Sequence, residues 1–116
     1  MSEDGIFVAT VILDGGLDQA SHRYFWEHDG FISLPRRECA VRDFIASGLR
    51  RVRWEQHDEW ALQTLARITK SLARRRLLIE EVIGATAWRE WAEVNSAYLS
   101  AFRCGKMTYQ LVEASP

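Results

Sequence analysis

The chain has 116 residues, with 15 Lys and Arg against 16 Asp and Glu and a formal net charge of −1. An apolar share of 47% and a charged share of 27% are ordinary for a soluble globular protein and exclude a low-complexity tail or a disulfide scaffold. The balanced total hides a segregation. Arg36 to Arg76 holds eleven Arg and Lys against five Asp and Glu, a net of +6, and the two flanks together carry −7.

Read along the chain, Ile6 to Leu13 is a β-branched apolar run stopped by Asp14-Gly15-Gly16. It predicts a strand buried on both faces. The aromatic-rich stretch His22 to His28 predicts a second strand, Asp29-Gly30 a turn, and Phe31 to Leu34 a short third strand, together a hairpin. Pro35 suits the first turn of a helix that runs to about Gly48 and carries Val41, Phe44, Ile45 and Leu49 on one face. Arg50 to Gln56 reads as a linker or a short strand.

Asp58 is placed to cap the longest helix, about Glu59 to Ile83. Its apolar residues form two adjacent stripes, so it should be packed from two sides. Trp60 and Leu78 fall outside those stripes, and Arg76 falls inside. Gly84 should interrupt the helix, and Thr86 should cap the next one. Trp88, Trp91, Tyr98, Leu99 and Phe102 share a face of that helix, with Asn95 in their midst. Gly105 should end it, and Met107 to Val112 reads as a closing strand. The fold class expected is α+β, one domain over 1–116. A small, mostly antiparallel sheet of N-terminal strands plus the C-terminal strand packs on three helices.

No motif names a chemistry. His22, His28 and His57 are scattered, and Cys39 and Cys104 lack the spacing of a metal site. The expectation is no metal, no cofactor, no catalytic residue and two free thiols. No Walker loop, G-x-G-x-x-G or G-x-S-x-G is present. The start of the chain is acidic where a secretory leader would be basic, and the Ile6–Leu13 run is too short to span a bilayer, so a cytoplasmic location is expected.

The strongest signal is arginine. Arg36 and Arg37, Arg50, Arg51 and Arg53 beside Trp54, and Arg74 and Arg75 could converge with Trp60 into one basic, aromatic surface. Planar guanidinium forks suit carboxylate and phosphate recognition. These nine residues form the expected partner-binding set. The function expected from them is a non-enzymatic interaction protein, monomeric or weakly dimeric, binding a larger protein or nucleoprotein complex without a membrane. In style the chain resembles small phage or mobile-element accessory proteins and inhibitors, including those that block host defence complexes. Two alternatives stand beside it. One is direct nucleic-acid binding by the central arginines, although the pI of 6.3 is low for that role. The other is a small enzyme or ligand-binding domain without a recognisable motif.

Overall fold

A computed structural model describes residues 5–30 and 34–116. The chain opens with strand β1, Phe7–Asp14, and helix α1, Gln19–Asp29. Helix α2, Arg37–Ala46, leads to strand β2, Arg51–Gln56. Helices α3, Asp58–Arg74, α4, Arg76–Ile83, and α5, Ala85–Arg103, follow, and strand β3, Met107–Ser115, closes the chain. The α+β class read from the sequence is the observed one.

The three strands form one sheet in the order β1-β3-β2. The last strand lies in the middle and runs antiparallel to both neighbours, pairing Asp14 with Met107 on one side and Gln56 with Gln110 on the other. Strands β1 and β2 are therefore parallel to each other, and their carboxyl ends meet the start of β3. A core of Leu17, Phe25, Ala101, Phe102 and Met107 joins α1, α5 and β3 at that end. The second face of the sheet carries α2, where Phe44 touches the rings of Phe7 and Trp54. The long helices pair with each other beyond the sheet, and the molecule measures 52 × 28 × 23 Å.

Several local expectations are corrected. The aromatic stretch His22–His28 is helical, inside α1. The Asp18 carboxylate accepts from the Ser21 N–H at 2.7 Å and starts the helix. Gly30, at φ 76°, ends it, so Asp29-Gly30 is a helix C-cap rather than a hairpin turn. The expected strand at Phe31 to Leu34 lies largely outside the described residues. The segment Arg50 to Gln56 resolves as a strand. The long helix breaks at Arg75, separating α3 from α4. Asp58 is the first residue of α3 and not its cap, and the cap of α5 is Gly84, not Thr86.

Strand β1 is not buried on both faces. Leu13 is buried, but Phe7 and Val8 are exposed, Val8 to 57%. Tight packing instead appears just past the strand. The Gly15 N–H donates to the Lys106 carbonyl at 2.8 Å, and a Cβ at Gly15 would overlap the carbonyl oxygen of Gly105. That close approach holds the β1 exit against the α5–β3 connection.

Candidate functional site

The arginines expected to converge are distributed over three places. Arg37 lies over the Trp54 ring at 5.0 Å, on the side of the sheet that α2 covers. Arg53, next along β2, points to the opposite side and sits 4.0 Å from Glu113. Arg50 and Arg51 line a groove there with Ile6 and Ser115. Arg74 and Arg75 are at the far end of α3, a helix that begins where β2 ends and packs on α5. Arg36 is exposed at the start of α2. A single contiguous basic patch is not formed.

Trp60 is exposed and packs on its own chain. Its ring stacks on His57 with centroids 3.6 Å apart and planes 8° from parallel, and its edge meets Tyr109. His57 is bridged on both nitrogens, to Glu59 at Nδ1 and to Glu55 at Nε2, each at 2.8 Å. The hydrogen bond to Glu59, with help from Glu55, raises the imidazole pKa against the opposing effect of desolvation. Asp58 accepts from the Tyr109 N–H at 2.8 Å and from the Gln56 amide at 2.6 Å, fastening the start of α3 to β3.

At the carboxyl end of β1, the Asp14 carboxylate accepts from the N–H groups of Gly16 and Leu17, both at 2.8 Å, and meets His22 Nε2 at 3.2 Å. Burial pushes the Asp14 pKa up, yet the two backbone donors and His22 outweigh it and leave it lowered.

A cleft of about 400 Å³ lies between α1, α3 and α5. Leu65, Ile68, Leu72 and Val94 make its apolar floor. One end carries His28, Asp29 and Tyr98, and the other Glu90 and Trp91. The Tyr98 hydroxyl donates to the Asp29 carboxylate. Burial, and then this anionic neighbour, raise the Tyr98 pKa strongly, so the phenol stays protonated and acts as a donor. Asn95 is fixed in the wall between the ends. Its amide donates to the Leu65 carbonyl at 3.2 Å and to the Thr69 hydroxyl at 2.7 Å. Trp88 donates to the Leu72 carbonyl at 2.9 Å, and Arg76 lies over the Trp88 ring at 4.1 Å while pairing with Glu80 at 2.7 Å. Asn95 and Arg76, the two polar residues set in apolar stripes, are thus both paired within the chain.

Sequence reasoning found the α5 side of this cleft as an aromatic face but missed the α1 side. His28 and Asp29 had been placed in a hairpin. The signal that finds them is the cap pair, Asp18 three residues before Ser21 and Gly30 after Asp29. Among the described residues no group of three or more His, Cys, Asp or Glu is arranged to hold a metal. Both cysteines are exposed and free. No described helix is long and apolar enough to cross a membrane.

The chain matches no protein family model and no curated protein by sequence. Its fold is shared with solved structures. The mycolic acid cyclopropane synthase CmaA1 superposes with a TM-score of 0.82 at 14% identity, over 100% of this chain and 48% of that one. The cyclopropane synthase MmaA2 from Mycobacterium tuberculosis gives 0.84 at 15% identity, over 99% of this chain and 46% of that one. A phosphoethanolamine N-methyltransferase of Haemonchus contortus, solved with phosphomonomethylethanolamine and S-adenosylhomocysteine, gives 0.80 at 11%, over 99% of this chain and 27% of that one. The chain thus spans less than half the length of these structures. All of them are enzymes. This shared fold overturns the expected non-enzymatic inhibitor or phage-style accessory factor.

Proposed function

We propose that this chain supplies the acceptor-binding part of an S-adenosylmethionine-dependent methyl-transferring enzyme. The observation that carries this reading is the superposition of nearly the whole chain on such enzymes at TM-scores of 0.80 to 0.84. The α1–α3–α5 cleft is the proposed acceptor site. It has the apolar floor and few convergent polar groups typical of small-molecule pockets.

The described residues do not themselves make a cradle for the cofactor. Such a cradle needs a glycine-rich strand-to-helix turn and an acid free to bind a ribose. Asp14 has its carboxylate committed to Gly16, Leu17 and His22. What the chain's own residues do is hold and orient an acceptor and shield it from water. Leu65, Ile68 and Leu72 exclude solvent below it, and Tyr98 and Asp29 present a donor and a charge at one end.

The exposed apolar residues of β1 support a larger assembly. Ile6 and Val8 lie exposed at the β1 edge of the sheet, and Phe7 is covered only in part, by the Phe44 ring. An uncapped apolar edge strand is an aggregation hazard unless something pairs with it. In this reading further strands of the complete enzyme do so, in a cytoplasmic setting. The groove at Arg50, Arg51 and Arg53 would face a partner polypeptide of that assembly.

The test is isolation of a tagged chain with whatever it is joined to in its source cells, then incubation with S-adenosyl-L-[methyl-³H]methionine and a small-molecule and lipid extract. Label entering an acceptor, with release of S-adenosylhomocysteine, is expected. Absence of both from a folded assembly would overturn the proposal.

A further inference from the structure

The cleft is electrostatically one-sided in a way the arginine-rich sequence does not suggest. Among the described residues its lining holds two carboxylates, Asp29 and Glu90, with His28 the one basic side chain, beside Asp29, and neither lysine nor arginine. The two acids stand at opposite ends. Glu90 and Tyr98 are two turns apart on α5, about 12 Å along the helix axis, and Asp29 is tied to the Tyr98 hydroxyl. Each acid is accompanied by an aromatic ring, Asp29 by Tyr98 and Glu90 by Trp91, which is 56% exposed. Ring faces attract cations, and a carboxylate beside the ring adds a separate ionic attraction. Between the ends the floor is aliphatic, from Leu65 through Ile68 to Leu72, and the Asn95 amide in the wall already donates to the Leu65 carbonyl and the Thr69 hydroxyl.

We propose that this cleft binds an elongated aliphatic amine with a cationic nitrogen at each end, the two set about 12 Å apart. One nitrogen sits at the Asp29–Tyr98 end and the other at the Glu90–Trp91 end, and the methylene chain lies on the leucine and isoleucine floor. An acyl carboxylate of the same length meets an acid at either end and is disfavoured. This assignment rests on reading the cleft as the acceptor site, and it names the acceptor's chemical class.

The test is calorimetric titration of the full chain with four probes, 1,8-diaminooctane, 1-aminooctane, 1-octanol and octanoate. The Trp91 indole N–H resonance, assigned with Trp91→Phe, reports the site of binding. The diamine is expected to bind at least tenfold tighter than the monoamine, and the monoamine tighter than octanol or octanoate. Glu90→Gln alone should bring diamine and monoamine within threefold of each other, and Asp29→Asn with Glu90→Gln should erase the preference for amines. Glu90 is exposed, so its single variant stays informative if the double one fails to fold. Equal binding of diamine and monoamine, preference for octanoate or octanol, or no binding by any probe would each overturn the proposal. These outcomes are separate from the methyl-transfer assay. An amine preference without label transfer defeats the enzymatic reading alone, and label transfer to an acyl chain defeats this assignment alone.

Discussion

Asn95 shows what a polar residue in an apolar stripe does here. Its amide joins α5 to the α3 backbone, through the Leu65 carbonyl and the Thr69 hydroxyl. Asn95→Leu leaves those groups short of a donor and is expected to cost about 1–3 kcal/mol, measured by urea unfolding. Light scattering should show an unchanged oligomeric state, because the partners are internal. Gly15 is constrained differently. Gly15→Ala forces a methyl group against the Gly105 carbonyl and should destabilise by about 1–3 kcal/mol, again read by urea. His57 makes stability depend on pH. Its folded-state pKa is raised above 6.5 by Glu59 and Glu55. The stabilisation is complete below the unfolded value and is lost as pH rises through the folded one. An NMR titration should therefore give a midpoint above 6.5, and Glu59→Gln should bring it down. At this scale the sequence was informative where a residue type broke a pattern, as Asn95 and Arg76 did. It misread Asp58 as a helix cap, because the Tyr109 N–H that its carboxylate accepts lies fifty-one positions away.

Elements were legible when their own period or punctuation decided them. The β-branched run of β1, the glycine at 84 and the aromatic face of α5 all read directly from spacing. Helix α1 did not, because its aromatic content favours strands and Asp29-Gly30 mimics a hairpin turn. Its ends decide it. Asp18→Ala removes the acceptor for the Ser21 N–H and should destabilise the start of the helix, with the loss of helix signal visible by circular dichroism. The break between α3 and α4 was hidden because both stripes continue in phase through Arg75. Its consequence is that α4 has no buried residue, and Leu77 is 82% exposed. Substituting Leu77 by Ser should leave stability within about 0.5 kcal/mol.

For the whole molecule, the α+β class and a small antiparallel sheet that includes the C-terminal strand followed from the sequence, and the central position of that strand did not. Placing the last strand between the first two is a long-range pairing with no local signature. The expected basic patch failed for the same reason. Arginines grouped in sequence are parted by the pleat of β2 and by the length of α3. The cleft could not be foreseen while its α1 wall was assigned to a hairpin. Once α1 is a helix, the caps, the α5 aromatic face and the floor of α3 define one receptive surface at the side of a fold shared with methyltransferases and cyclopropane synthases. The most direct measurement is the initial rate of label transfer from S-adenosyl-L-[methyl-³H]methionine by the native assembly, compared between wild type and Trp91→Ala. Trp91 is exposed at one end of the cleft, so its loss spares the fold. The account predicts transfer by the wild type and at least a tenfold fall in the variant. Equal rates in both, or no transfer by a folded wild-type assembly, would contradict it.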